Sequence, residues 1–133
     1  MQSDRGAVIA SGKTKVIFAS REDPYLCYCV NKDVVTWGNT RSLHIPEKGC
    51  WSTRVNHNLM TCVLQRSGLP VAYHGLADDR TYTAELCDMF PFEVVVYGIV
   101  DASSSFRKRN PHHPSETLLS EPVVHFHLKT TDK

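Results

Sequence analysis

Ser11-Gly12-Lys13-Thr14-Lys15 is the segment of this chain whose residue types best suit chemistry on an anion. A glycine in a hairpin lets backbone amides approach a ligand closely. Two lysines at i and i+2 of a strand point to one face, an arrangement that can clamp phosphates. The segment is not a Walker A loop, because the required second glycine is missing. On the residues alone, the competing reading is a surface hairpin with solvated lysines.

Other constellations carry less. Cys27 and Cys29 share one face of a strand, as do His125 and His127. If the two strands were neighbours, the four side chains would make a Cys₂His₂ zinc site, but their spacing is no known zinc signature, so no metal ligand is assigned. His112-His113, between two prolines, reads as solvated loop. Arg107-Lys108-Arg109 is a short basic run of the kind that usually forms a solvated face. Arg54 and His57 fall on the polar side of a helix. Trp37 and Trp51 read as packing residues, since no basic, aromatic-interleaved surface surrounds them.

The elements that must position these residues follow from punctuation and periodicity. Ala7–Ala10 and Lys15–Phe18 read as strands joined by a turn at Gly12. Asp23-Pro24 interrupts the chain, Tyr25–Val30 reads as a buried strand, and Asn31-Lys32-Asp33 as a turn. Trp51–Gln65 is the best helix, with Trp51, Val55, Leu59 and Val63 forming one apolar stripe and Gly68 and Pro70 stopping it. Strand patterns return at Val71–His74 and Arg80–Leu86. Phe92–Val100 is apolar without alternation, which predicts a central strand of a sheet. Ser103–Ser120 is polar and proline-interrupted, a loop with one turn of helix, and Pro122–Leu128 is a last strand. Strands, one long helix and more strands predict an α+β fold with mainly antiparallel pairing.

Composition sets outer bounds. The 133 residues are 41% hydrophobic and 22% charged, enough apolar material for a core. A formal net charge of +1 gives no global signal for a nucleic-acid or membrane partner. No stretch approaches the roughly 20 apolar residues of a spanning helix. Met1–Arg5 is polar and no signal peptide is recognised, and the five scattered cysteines fit reduced thiols in the cytoplasm.

Six collinear segments, Gly12–Phe18, Lys32–Asn39, Ser67–Pro70, Met89–Val96, Phe106–Pro111 and Leu128-Lys129, together resemble one family, the SAICAR synthetases of purine biosynthesis, in wording nearest the animal-type bifunctional enzymes. Gly12-Lys13-Thr14-Lys15 with Val16-Ile17-Phe18 looks like the family's N-terminal signature. Lys32-Asp33-Val34-Val35-Thr36 with Gly38-Asn39 resembles its Lys-Asp-x-(Ile/Val)-Thr-x-Gly-(Asp/Asn) segment. Ser67-Gly68-Leu69-Pro70 is similar to Ala-Gly-Ile-Pro, and Met89 to Val96 to Met-x-Pro-x-Glu-x-Val-Val. Phe106–Pro111 resembles Leu-Lys-Arg-Asn-Pro, and Leu128-Lys129 opens a Lys-Asp-Asp segment.

The resemblance implies an ATP-grasp-like, two-lobed fold, with residues 1–90 as the N-terminal nucleotide-binding lobe and 91–133 as the start of a second lobe whose C-terminal part is absent. It implies a ligase that uses ATP and Mg²⁺ to activate the carboxylate of carboxyaminoimidazole ribotide as an acyl phosphate, which the amine of aspartate then attacks. Gly12, Lys13 and Lys15 would lie over the ATP phosphates. Glu85 and Met89 would fall on the hinge that receives adenine. Ser103 would meet the ribotide phosphate and Lys129 the substrate side. No catalytic residue is assigned.

Departures from the pattern cluster on the substrate side. Tyr97 stands where the family has a substrate-binding arginine, a neutral hydroxyl in place of a bidentate cation. Ala102-Ser103 replaces Gly-Ser, and Lys129-Thr130-Thr131 loses two carboxylates. The family's later acidic segment, which serves ATP and metal, lies outside this sequence. The alternative expectation is therefore a truncated or diverged non-catalytic paralogue acting as a binding or interaction module. An apolar face left without the rest of the fold would favour self-association into a homo-oligomer.

Overall fold

Short β-branched runs separated by turn residues pair only with antiparallel neighbours here. The computed structural model of the chain describes residues 4–37, 41–102, 104–112, 114 and 116–128. The chain forms two compact units, Met1–Cys87 and Asp88–Lys133.

The first unit contains β1 (Arg5–Ser11), β2 (Lys15–Ser20), β3 (Leu26–Asn31), β4 (Val34–Trp37), β5 (Arg41–His44), α1 (Lys48–Asn58), β6 (Tyr73–Asp78) and β7 (Thr81–Glu85). Five strands form one antiparallel sheet in the order β1-β2-β3-β7-β6, and β4 and β5 pair separately as a hairpin. Cys27, Cys29 and Asn31 alternate with half-exposed neighbours along β3, so this central strand sends its buried face toward the core.

The helix begins three residues before the apolar pattern suggests. Its start is fixed from elsewhere in the chain. Gly49 donates its amide to Asp33 Oδ1 at 2.7 Å, supplying a first-turn acceptor that no local residue provides. Arg80 holds the other carboxylate oxygen at 2.6 Å. Beneath this pair, Asn31 Nδ2 donates to Thr53 Oγ1 at 2.8 Å, and Thr53 donates back to Gly49 O at 2.9 Å. A Cβ at position 49 would stand 2.6 Å from Asn31 O, so only glycine allows α1 this close to β3. Asp33 is only 9% exposed, and the Arg80 hydrogen bonds, then the Gly49 amide, hold its carboxyl below the usual range.

This seating corrects the expected orientation of the helix. Its buried residues are Gly49 and Thr53, while Trp51 and Val55 of the apolar stripe are 60% and 64% exposed, and Leu59 and Val63 are exposed as well. Small residues and a polar contact, not the large apolar side chains, face the sheet. From Leu59 to Gln65 the helix widens into a π-helical stretch, where Thr61 Oγ1 bonds back to His57 O at 2.7 Å.

The second unit contains β8 (Phe92–Val100), α2 (Ser105–Arg109) and β9 (Thr117–Leu128). Ser104 caps α2, its hydroxyl accepting from the amide of Arg107 at 3.1 Å. The expected central position of Phe92–Val100 is not observed: among the described residues β8 pairs with β9 alone. Apolar runs report on the faces of a strand and say nothing of its edges. Here Phe92, Val94 and Val96 pair with Leu128, Phe126 and Val124 on one largely exposed face. Tyr97 and His125, on the other, pack against Phe106 of α2. β9 also starts five residues earlier than Pro122. That proline lies where the register shifts between the Tyr97 and Ile99 pairs, a place that demands no ladder N–H.

Replacing Gly49 with alanine should cost about 1–3 kcal/mol through the forced clash with the Asn31 carbonyl, read as a lower urea midpoint. The Asp33 contacts also set an acid limb. Because its native pKa is lowered, their contribution is complete above the ordinary carboxylate value of about 3.9 and is lost as pH falls toward the native value. The stability gap between wild type and Asp33→Asn should therefore narrow below that pH; a gap independent of pH would contradict the assignment.

Candidate functional site

The β1–β2 hairpin is closed by the Gly12 amide, which donates to Lys15 O at 2.9 Å. The turn itself does not demand glycine, since a Cβ at position 12 would meet only Lys15 O at an ordinary 3.8 Å. What glycine leaves is an open approach to the backbone. Lys32, which sequence reasoning did not single out for a role, braces the hairpin: its ammonium donates to Gly12 O at 2.7 Å and Ser11 Oγ at 3.0 Å. Its amide bonds Thr14 O at 2.7 Å.

The two hairpin lysines part company. β2 begins at Lys15, so Lys13 belongs to the exposed turn and does not share a strand face with it. Lys15 is half-buried, donates to Tyr82 OH at 3.0 Å and lies 5.6 Å from the centre of that ring. Burial raises the Tyr82 pKa, against the opposing pull of Lys15, so the phenol stays neutral beside the lysine.

Lys15 stands at a cavity of about 320 Å³ between the helical segment and strands β6 and β7. Met60, Leu64, Val71 and Ala84 make its lining mainly apolar, Tyr73 and Tyr82 add aromatic surface, and Lys15 and Asn56 supply the polar end. Tyr73 is held by a 2.6 Å contact between its hydroxyl and His57 Nδ1. An apolar hollow with a few convergent polar groups has the makeup of a small-molecule site. Lys15 and Asn56 also line a second, open hollow beside the N-terminal turns of α1.

The remaining expected residues are dispersed. Glu85 ends β7 immediately after Ala84, but its side chain lines a separate hollow of about 310 Å³ with Asp23, Tyr25 and His74. Its carboxylate is 3.7 Å from His74 Nε2. Met89 is exposed and belongs to the second unit. Tyr97 lies in an aromatic group with Phe106 and His125, ring centres 5.2 and 5.3 Å away, and its hydroxyl is 3.5 Å from His127 Nε2. Arg109 reaches His127 Nδ1 at 3.3 Å, whereas Arg107 turns onto the carbonyls of Asn110 and Pro111. Ser103 and Lys129 lie outside the described residues, as do Thr130 and Thr131.

The four side chains of the zinc constellation do not meet on neighbouring strands. β3, which carries Cys27 and Cys29, pairs with β2 and β7, and β9, which carries His125 and His127, pairs with β8. The two sulfurs are 4.0 Å apart, and burial pushes the Cys27 thiol up to about 11. Among the described residues no three His, Cys, Asp or Glu side chains converge as metal ligands. No helix there is long and apolar enough to cross a membrane.

Residues 8–133 match the family model described as SAICAR synthetase. The chain is 37% identical over 125 residues to a phosphoribosylaminoimidazole-succinocarboxamide synthase of Herpetosiphon aurantiacus, covering 93% of this chain and 49% of that protein. It is 31% identical over 122 residues to the bifunctional purine synthesis protein purC/E of Dictyostelium discoideum, covering 91% of this chain and 12% of that one. Its fold is similar to that of the Ehrlichia chaffeensis synthase, with a TM-score of 0.82 and 26% identity over 93% of this chain and 51% of that chain. A SAICAR synthetase solved in complex with ADP is similar at a TM-score of 0.79 and 26% identity, covering 91% of this chain and 50% of that chain. The chain spans about half the length of such synthases, 49% of the Herpetosiphon aurantiacus protein and 49% of one from a Roseiflexus species.

Proposed function

The chain belongs to the SAICAR synthetase family, and from that premise we propose that its first unit binds an adenine nucleotide for an ATP-dependent ligase reaction. The observation that carries this reading is the position of Lys15, a charged ammonium at the polar end of an apolar cavity and directly after a glycine hairpin. A heterocyclic base suits the lining of Met60, Leu64, Val71 and Ala84, and the phosphates suit the Lys15 end. Gly12 leaves the hairpin backbone open to approach, and Lys32 stiffens it from behind. The structural relative bound to ADP supports the same class of ligand.

In the proposed reaction a carboxylate oxygen of carboxyaminoimidazole ribotide attacks the γ-phosphorus of ATP and ADP leaves. The amine of aspartate then attacks the acyl carbon, and phosphate leaves. Lys15 would hold phosphate charge during the first transfer. Mg²⁺ would neutralise phosphate charge in this reaction, and no described residue is assigned to it. Ser103, Lys129 and Tyr97 are the substrate-side residues proposed from the motif match, and Glu85 and Met89 those for adenine. A cytoplasmic setting accords with the family's chemistry. The apolar face of the β8–β9 ribbon, from Val94 to Phe126, is the surface on which we propose self-association.

Calorimetry with ADP tests the nucleotide reading. Lys15→Met should weaken ADP by about tenfold, the loss of one charge-assisted hydrogen bond, while adenosine is held nearly as before. Wild-type protein that takes up no ADP would overturn it. On the substrate side, Tyr97→Arg restores a cationic fork and should tighten binding of the ribotide. Unchanged affinity would remove Tyr97 from that site.

A further inference from the structure

Two thiols in the core of the first unit have no part in the reaction proposed above. Cys27 and Cys29 take alternate positions along β3 and are 5% and 6% exposed. Both are free, and their sulfurs are 4.0 Å apart. Their cross-strand partners are Ala19 and Ile17 of β2 and Ala84 and Tyr82 of β7, which leaves no carboxylate or amide side chain directly opposite them. Cys27 meets the Glu85 carbonyl at 3.8 Å. Sulfurs this close, in apolar surroundings, resist carrying two negative charges at once. Burial, and then the neighbouring Cys29, pushes the Cys27 thiol up to about 11. A cation lying between the sulfurs reverses that penalty, because it draws off both protons and takes up the charge.

We infer that Cys27 and Cys29 form a two-coordinate site for a soft monovalent metal ion, Cu(I), on the central strand of the first unit. The inference stands apart from the nucleotide reading. Ligand type and number select the ion. A closed zinc site takes four donors and Mg²⁺ or Ca²⁺ takes oxygens, whereas among the described residues no third His, Cys, Asp or Glu converges on the pair. Thiolates favour soft ions such as Cu(I). Residues i and i+2 of a strand share a face, and β3 is paired on both sides, so the sulfurs are placed before an ion arrives. A zinc–thiolate bond is about 2.3 Å, and a bond of that length to each sulfur gives a linear span of about 4.6 Å. The observed 4.0 Å reaches it when each side chain turns by a few tenths of an ångström. Loading leaves the oxidation state unchanged: two S–H bonds break, two metal–sulfur bonds form, and both protons go to solvent. The product carries one negative charge, and Lys15 stands one ring away on the Tyr82 hydroxyl. Cys87 is exposed and near enough to raise Cys27 as well, so it offers the entry ligand from solvent.

Anaerobic titration of the reduced chain with Cu(I), against the chelator bicinchoninate, tests the site. Wild type and the surface variant Cys50→Ser/Cys62→Ser should each withdraw one equivalent, and X-ray absorption should show two sulfur neighbours. Cys27→Ala and Cys29→Val keep apolar side chains in the core. Each should bind Cu(I) at least about a hundredfold more weakly, the upper end of what losing even a group outside a ligand set costs. A measurement on wild type alone covers the case in which these variants fail to fold. The first equivalent of Ag(I), a redox-inert stand-in, should move the Cβ resonances of Cys27 and Cys29 before those of Cys50 and Cys62. No Cu(I) withdrawn by wild type, undiminished binding in Cys27→Ala and Cys29→Val, or Ag(I) shifts that begin at Cys50 and Cys62 would each overturn the site.

Discussion

Asp33 ties together parts of the first unit that are far apart in sequence. Its carboxylate takes the amide at the start of α1 with one oxygen and the Arg80 guanidinium, just before β7, with the other. Asn31, two residues earlier, is bonded to Thr53 one turn further along the same helix. These contacts work only if the helix comes close, and Gly49 is what permits the approach. A carboxylate only 9% exposed and left without its arginine would be costly, so the knot has to be complete to be stabilising. Everything between α1 and the sheet depends on where this knot sets the helix, including the apolar cavity.

The charge distribution of that region follows one logic. Lys32 is turned inward onto the hairpin backbone and serves structure. Lys15 meets a neutral phenol whose ionisation is suppressed by burial. Two acids of the unit are paired elsewhere: Asp33 with Arg80, and Asp78 with Arg5 at 2.5 Å. The second unit differs in character. Around Tyr97 it gathers rings and imidazoles, with Arg109 beside His127.

Much of the architecture is readable from the residues because it is local. β-branched runs and turn residues mark the strands, and the Lys15 hairpin and the family motifs stand in the sequence as written. What fails to show depends on partners distant in the chain. The start of α1 is set by Asp33, sixteen residues before Gly49, which no helix-capping pattern contains. The Trp51–Val63 stripe predicts the wrong buried face because a polar and glycine-lined contact brings the helix closer than leucine-sized side chains allow. β2 begins at Lys15 as the residues predict, so Lys13 stays in the turn and cannot share a strand face with Lys15. The apolar run of β8 reflects its faces, while its edge pairing is decided by backbone hydrogen bonds that composition does not encode.

The central claim is that the first unit of this family member presents a preorganised nucleotide site between its hairpin and α1. Amide chemical-shift changes on titrating ADP into the uniformly ¹⁵N-labelled chain test it most directly. Saturable shifts at Gly12, Lys15, Asn56 and Ala84, with the β8–β9 ribbon unaffected at Val96 and Phe126, are the predicted result. Shifts confined to residues of the second unit, or none at saturating ADP, would contradict the account.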